Sequence, residues 1–271
     1  MIYVRDKGRL CNNILQYGHV YAWGREHGRQ TVSMRFAYKY QYFHICHTPK
    51  HNFYYYLAAK YLAKWGFLPV VSFNDPDEDT SVKEQMMLRR RNLVVEGWHA
   101  VWYDLFLKYK PEIISLFAFD AKVKKSPDRL LARVPADSVR LGLHIRRGDY
   151  RTFYDGRFFF SDEQYIHQIK MFAGLHPGKH VQVFICGNDP HLDEDAYRQS
   201  LPQQALSFPK GNPGEDLYLL SQCDYLIGPP STFTLVAAMY RDVPLYWIEK
   251  AEDPLTESSF GHFDTLFRNI K

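Results

Sequence analysis

Short apolar runs rich in β-branched residues alternate with longer amphipathic segments along most of this 271-residue chain. Buried parallel strands and the helices that cover both faces of their sheet produce this alternation. Glycine and proline mark many of the boundaries between the segments. The pattern therefore predicts an α/β fold built from parallel sheets.

The same pattern predicts where the elements lie. Strands are expected at residues 2–5, 31–36, 68–73, 92–96, 139–145, 181–186, 225–228 and 244–248. Helices are expected at residues 14–27, 53–65, 103–116, 162–173, 191–200, 214–222 and 231–240. A chain of this length predicts about two domains. A proline-containing connector at residues 132–137 favours a first domain over residues 1–134 and a second over 135–271, with its last helix returning to the first.

Composition excludes several protein classes. Hydrophobic residues make up 46% and charged residues 24%, which argues against a disordered, collagen-like or coiled-coil chain. The net charge of +4 favours an anionic ligand but is too small to indicate a nucleic-acid partner. No apolar run is long enough for a transmembrane segment. We expect a cytoplasmic protein with free thiols at four widely spaced cysteines, namely Cys11, Cys46, Cys186 and Cys223.

An apolar strand ends in a cluster of charged residues near the middle of the chain. The segment LGLHIRRGDY, residues 141–150, places Arg146, Arg147, Gly148 and Asp149 at the carboxyl end of that strand. Ligands of open α/β sheets bind at this end, and guanidinium groups bind phosphate oxygens in pairs. The sequence therefore predicts an anion site here, and a surface ion-pair cluster is the alternative.

A second candidate anion site follows a later strand. Ser231 and Thr232 come directly after the strand at 225–228 and a Gly-Pro-Pro turn, where a helix should begin. Free N–H groups and the positive end of the helix dipole make such a position suitable for phosphate. Ordinary N-capping by Ser231 is the alternative interpretation.

Four segments together resemble one enzyme family. HIRRGDY at 144–150 resembles the H-x-R-R-G-D-Y motif of fucosyltransferases, specifically the α-1,2-fucosyltransferases of glycosyltransferase family 11. GRLCNNILQY at 8–17, EGWH at 96–99 and the block from Asp216 to Ala238 resemble further motifs of that family, in the same order. The resemblance implies a GT-B-like fold, in which two Rossmann-type domains face a central cleft and the second holds a GDP-sugar. It also implies metal-independent, inverting transfer of L-fucose from GDP-β-L-fucose to a glycan acceptor, at O2 of galactose.

The resemblance also implies roles for individual residues. Arg146 would meet the negative charge of the departing diphosphate, with Arg147 supporting it. This is chemically reasonable because without a metal a preorganised cation must stabilise that charge. His144 and Asp216 would recognise the nucleoside, since a carboxylate suits the N1–H and N2–H₂ edge of guanine.

The remaining implied contacts come from both domains. Ser231 and Thr232 would bind phosphate oxygens, with Phe233 beside them in the donor site. Arg9 and Asn12 would approach the diphosphate and fucose from the first domain. Cys11 stands where the family has glycine, which leaves a transferase for another GDP-sugar as one alternative. The other alternative is a non-catalytic nucleotide- or glycan-binding relative that kept the arginines but lost a base.

The general base remains open at this stage. Carboxylates near the motifs are Asp6, Asp149, Asp155, Glu163 and Asp189. Asp149 is the nearest to the arginine pair, and orientation of Arg146 is an equally good role for it.

Three other segments carry weaker signals. The acidic loop at 75–79 contains D-x-D, a pattern that can hold a divalent cation against a diphosphate. His44, Cys46, His47 and His51 are dense in metal-ligand types but lack the regular spacing of a zinc site. The run at 89–91 is most simply a solvated helix end, with recognition of an anionic acceptor as the alternative. We therefore expect no metal and no cofactor beyond the GDP-sugar itself.

Overall fold

The computed structural model describes residues 1–5, 7–187 and 189–270, apart from the side chains of residues 153 and 154. The chain divides into two compact units, Met1–Lys122 and Val123–Lys271. The division lies at the start of the helix Ala121–Leu131, and the boundary predicted from the sequence lies just beyond the other end of that helix.

The first unit contains a parallel sheet of β1 (Ile2–Arg5), β2 (Thr31–Ser33), β3 (Val70–Ser72) and β4 (Leu93–Glu96). Its strand order is β2-β1-β4-β3, and each described pairing is parallel. Its helices are α1 (Leu10–Glu26), α2 (Phe53–Lys64), α3 (Ser81–Arg89), α4 (Tyr103–Lys108) and α5 (Lys110–Leu116), and α6 (Ala121–Leu131) leads into the second unit.

The second unit contains a larger parallel sheet, in the order β7-β6-β5-β8-β9. Its strands are β5 (Val139–Ile145), β6 (Val181–Gly187), β7 (Ala205–Ser207), β8 (Tyr225–Gly228) and β9 (Leu245–Trp247). Its helices are α7 (Asp162–Leu175), α8 (Glu194–Ser200), α9 (Pro213–Ser221), α10 (Thr232–Arg241) and α11 (Phe263–Leu266). The predicted α/β class with parallel sheets is confirmed.

Strand β5 lies in the middle of the second sheet and is mostly buried. Its neighbours are β6 and β8, and residues 141–145 are all buried. Gly142 has a specific packing reason: a Cβ there would lie 2.6 Å from Leu226 Cδ2 and 2.7 Å from Leu220 Cδ2. Leu220 belongs to α9, so the missing side chain lets α9 pack closely over the central strands.

Several predicted elements differ from the structure for local reasons. The single helix expected at 103–116 is two helices, α4 and α5, because Pro111 falls in the first turn of α5 and lacks an N–H for a continuous helix. Helix α1 begins at Leu10, earlier than expected, and its N-cap Arg9 makes no side-chain capping bond. Strand β7, α3 and α6 were not predicted; β7 has three residues, and α6 contains Pro127.

None of the described helices is both long and apolar enough to cross a membrane. All four cysteines are buried and unpaired with one another.

Candidate functional site at the carboxyl edge of the second sheet

The carboxyl ends of β5 and β8 lie at one edge of the second sheet, because the two strands are adjacent and parallel. The arginine motif follows β5 as a short 3₁₀ helix at Gly148–Arg151. Helix α10 begins just after β8, and α9 begins after β7 at the same edge. The fold therefore brings the predicted residues of the second unit to one edge of the sheet.

His144 and Phe233 form a buried aromatic pair at this edge. Their rings stack with centroids 4.9 Å apart and planes inclined by 20°. Burial, reinforced by the nearby charge of Arg146, lowers the pKa of His144 to about 3, so its imidazole is neutral. Its Nδ1 atom has no hydrogen-bond partner among the described residues. A neutral ring with an unsatisfied nitrogen is suited to a polar, uncharged ligand group.

Asp216 is an acidic side chain held in the first turn of α9. The helix is fixed there by a capping box, in which Asn212 accepts from the N–H of Glu215 while Glu215 accepts from that of Asn212. The Oδ1 atom of Asp216 is buried and has no hydrogen-bond partner in the described part of the chain. Burial, with a smaller contribution from the charge of Glu215, raises the pKa of Asp216 to about 7. An unpaired carboxyl of this kind is a candidate ligand group.

Asp216 lies near the strand ends that carry His144. Cys186 on β6 is the register partner of His144 on β5. Burial chiefly, and the Asp216 carboxylate secondarily, raise the pKa of the Cys186 thiol. The carboxylate therefore lies close to the same pair of strands as the aromatic pair.

Arg146 is held in place by two neighbours. Its Nε and Nη2 atoms donate to the two Asp149 carboxylate oxygens at 3.3 and 2.9 Å. Its guanidinium lies 4.7 Å from the centroid of the Tyr150 ring, and the Tyr150 hydroxyl donates to the Pro230 carbonyl at 2.5 Å. Because Pro230 precedes α10, these contacts link the arginine motif to the start of that helix.

Arg147 makes a different set of contacts. Its guanidinium donates to Asp162 at 2.6 Å and to Asp189 at 2.9 Å, and its Nε donates to the Phe160 carbonyl at 3.1 Å. Its side chain is only 11% exposed. Burial alone would lower the pKa of Arg147. The hydrogen bonds to the Asp162 and Asp189 carboxylates have the larger combined effect and raise that pKa. In the structure Arg147 anchors the segments around the site, and its predicted supporting role at the ligand stays a prediction.

The start of α10 is built by a chain of hydrogen bonds. Ser231 is its N-cap, and the Ser231 hydroxyl accepts from the Phe233 N–H at 3.1 Å. Thr234 donates its hydroxyl to the Ser231 carbonyl at 3.0 Å and accepts from Trp247 Nε1 at 3.1 Å. Ser231 therefore performs the N-capping role considered as the alternative, and Thr232 is the first residue of the helix.

The predicted residues of the first unit lie at the start of α1. Arg9 is the N-cap position of that helix and Asn12 lies in its first turn. Gln16 holds the preceding loop, donating to the Lys7 carbonyl at 2.8 Å and accepting from the Lys7 N–H at 3.1 Å. The Cys11 side chain is buried in the core of the unit, at 2% exposure.

The weaker motifs have local explanations. Asp75 accepts from the Asp77 N–H, and Asp79 accepts from both the N–H and the hydroxyl of Ser81. His51 accepts from the buried Ser33 N–H at 2.9 Å, and burial lowers its pKa to about 4. Among the described residues, no three histidine, cysteine or acidic side chains form a group that could hold a metal ion. Independence from metal stays a prediction.

The candidate bases differ in their surroundings. Asp189 is paired with Arg147, and hydrogen bonds from His191 and Arg147 lower its pKa against the effect of burial. A hydrogen bond from Ser161 is the main cause of the lowered pKa of Glu163, and Asp155 has a left-handed backbone with φ of 53°. Asp6 lies outside the described residues. No candidate is set apart as a base by these contacts.

Sequence reasoning missed four residues that build the site, namely Tyr150, Asp162, Tyr197 and Trp247. Tyr150 is part of the motif, so its place beside Arg146 was accessible from the sequence. The other three are brought to the site by packing between elements far apart in the chain, and no local pattern marks them.

The structure of this chain matches solved protein structures, although its sequence matches none of the protein families or curated proteins. The Arabidopsis thaliana FUT1 point mutant in complex with GDP matches with a TM-score of 0.60 and 13% identity, covering 96% of this chain and 73% of that one. POFUT1 in complex with GDP-fucose matches with a TM-score of 0.58 and 12% identity, covering 89% and 94%.

A further structural match is the α-1,6-fucosyltransferase NodZ soaked with GDP-fucose, with a TM-score of 0.55 and 16% identity over 96% of this chain and 97% of that one. At these identities the likeness establishes the fold. The chain therefore has the α/β fold of the fucosyltransferases, and its place in glycosyltransferase family 11 stays a prediction.

The two arginines should differ in what their removal does to stability. We expect Arg147→Ala to lower the free energy of unfolding by about 3 kcal/mol, because it leaves Asp162 and Asp189 largely buried without their cation. Arg146→Ala should cost no more than about 1 kcal/mol, because Asp149 is 43% exposed and water can solvate it. Urea unfolding followed by circular dichroism measures both. Equal losses would contradict the assignment of Arg147 to the scaffold.

Proposed function

We propose that this protein is a metal-independent, inverting fucosyltransferase that moves L-fucose from GDP-β-L-fucose to a glycan hydroxyl, at O2 of galactose. The observation that carries the proposal is the convergence of three features at one sheet edge. These are a buried Asp216 carboxyl oxygen with no partner among the described residues, a neutral aromatic pair at His144 and Phe233, and a fixed cation at Arg146.

The Asp216 and His144 groups suit the guanine base. Guanine presents two adjacent donors, N1–H and N2–H₂, and the buried Oδ1 of Asp216 is an acceptor with no protein partner among the described residues. A buried polar atom that is satisfied only by a ligand discriminates strongly against bases with a different donor pattern. Adenine and uracil lack this pair of donors, which supports selectivity for GDP.

Arg146 suits the diphosphate. A guanidinium has five N–H donors, and Asp149 takes one from Nε and one from Nη2. Both hydrogens on Nη1 and the second on Nη2 have no partner among the described residues and can be donated to phosphate oxygens. As the bond to fucose breaks, negative charge grows on the β-phosphate, and a cation fixed in advance stabilises that charge without reorganisation. We assign Asp149 to positioning Arg146. No residue is assigned as the general base that takes the proton from the acceptor hydroxyl.

The structural neighbours support the choice of donor. FUT1 was solved in complex with GDP and POFUT1 in complex with GDP-fucose. The linkage and inversion rest on the resemblance to glycosyltransferase family 11. The Cys11 side chain packs in the core of the first unit, so its departure from the family's glycine does not by itself argue for another GDP-sugar.

Ionisation of Asp216 should control guanosine binding. Its pKa is raised to about 7, and only the ionised carboxylate accepts from both guanine donors. Affinity for guanosine should therefore be highest above about pH 8 and fall up to tenfold per unit below pH 7. Calorimetric titration between about pH 5.5 and 8.5 measures this; guanosine is the probe because GDP phosphates titrate near pH 6.

Asp216→Asn is the control for the guanosine titration. It keeps the size of the side chain, so its weaker binding should be independent of pH. A flat profile for the unaltered protein, or the same slope in the variant, would exclude Asp216 as the guanine ligand.

Removal of Arg146 should suppress donor cleavage while leaving the fold intact. We expect Arg146→Ala to slow GDP release from GDP-fucose in water, without an acceptor, by about a hundredfold or more. Arg151→Ala is the matched control, since that nearby arginine is exposed and lies over the Phe159 ring. Undiminished GDP release in Arg146→Ala would refute the mechanism.

A further inference from the structure

A long stretch of the first unit carries no acidic residue. No aspartate or glutamate lies between Glu26 and Asp75. The lysines and arginines in that stretch are Arg29, Arg35, Lys39, Lys50, Lys60 and Lys64. Because the net charge of the whole chain is only +4, the first unit concentrates positive charge there. Such a concentration marks a surface that favours an anionic ligand.

The fold gathers part of this stretch around one cavity of about 470 Å³. The cavity lies where β1 and β2 end and α2 packs beside them. Its polar and aromatic lining consists of Arg5, Arg35, Tyr38, Tyr56, Lys60 and Lys64. A cavity of this volume falls in the range of small-molecule sites.

Among the described residues that line the cavity, none is acidic. Arg5 is compensated from outside the lining, since its guanidinium lies 3.0 Å from Glu96. Lys60 and Lys64 lie together in the lining, and the Lys60 ammonium is 5.7 Å from the Tyr56 ring centroid. These two lysines give the lining net positive charge, which an anionic ligand would neutralise.

The aromatic wall indicates more than a simple anion site. Tyr38 and Tyr56 lie side by side, with ring centroids 4.4 Å apart and planes inclined by 37°. Tyrosine offers an apolar face together with a hydroxyl that forms hydrogen bonds, a combination suited to partly apolar, partly polar surfaces. A pyranose ring has C–H groups for the ring faces and hydroxyls for the polar edges. Inorganic phosphate would leave the aromatic wall unused.

We propose that this cavity binds an anionic sugar, a pyranose with a carboxylate, sulfate or phosphate substituent, and that the sugar belongs to the acceptor. The second half of the statement rests on the proposed function. The anionic substituent contacts Lys60 and Lys64, and the sugar ring packs on Tyr38 and Tyr56. A neutral sugar would leave the cationic lining without a counter-charge.

Calorimetric titration of the full chain tests the binding. The probes are methyl β-D-glucuronide, galactose 6-sulfate and glucose 6-phosphate, with methyl β-D-glucoside and inorganic phosphate for comparison. At least one anionic sugar should bind about tenfold or more tightly than both comparison compounds, as expected of one added charge-assisted hydrogen bond. The three arms identify the anionic group. Equal binding of the neutral sugar or of inorganic phosphate, or no binding of any anionic sugar, would overturn the proposal.

Paired lysine variants locate the site. Lys60→Gln with Lys64→Gln should weaken anionic-sugar binding about tenfold or more, and arginine at both positions should restore it. Lys125→Gln with Lys250→Gln removes the same charge from exposed positions in the second unit and should leave binding unchanged. Equal effects of the two glutamine pairs would show a general charge effect and refute the site.

Titration with GDP separates this proposal from the proposed function. The Lys60 and Lys64 variants should bind GDP as the unaltered protein does. If GDP does not bind while the anionic sugar still binds through these lysines, the sugar site is supported and the proposed transferase function is refuted. If GDP competes with the anionic sugar for the cavity, the assignment of the cavity to a sugar fails.

Discussion

Two polar atoms at the carboxyl edge of the second sheet, Asp216 Oδ1 and His144 Nδ1, are buried without a hydrogen-bond partner among the described residues. A buried unsatisfied polar group costs roughly 1–3 kcal/mol, so the fold must support both from elsewhere. The support comes from close packing of α9 over β5 at Gly142 and from the capping box at Asn212. The edge is thus held in a form in which both atoms lack a hydrogen-bond partner among the described residues, and a ligand that supplied those partners would stabilise it.

The two adjacent arginines at the same edge have different surroundings. Arg147 is largely buried between Asp162 and Asp189 and joins the segment after β5 to α7 and to the loop after β6. That rigid anchor fixes the backbone from which Arg146 projects. Arg146 pairs with the more exposed Asp149, and in the proposed function its other N–H groups, which have no partner among the described residues, bind the diphosphate. A cation that must act on developing charge works best when its neighbours have already fixed its orientation.

Much of the fold followed from periodicity, because buried parallel strands such as β5 are continuous apolar runs with clear glycine and proline boundaries. The motif around Arg146 followed from its position after such a strand. Helix α3 and strand β7 were missed because their local sequences are weak and tertiary contacts decide their structure. The different partners of Arg146 and Arg147 were also beyond the sequence, since Asp162 and Asp189 are distant in the chain. The cationic cavity depends in the same way on how α2 packs beside the ends of β1 and β2.

In the proposed function, the edge formed by His144, Arg146 and Asp216 binds GDP without a metal. Calorimetric titration with GDP, with UDP and ADP for comparison, is the first experiment to make, with a chelator present and then with Mn²⁺. We expect binding of GDP alone, with the same affinity in both conditions. Preference for UDP together with a requirement for Mn²⁺ would contradict it and direct attention to the acidic loop at residues 75–79.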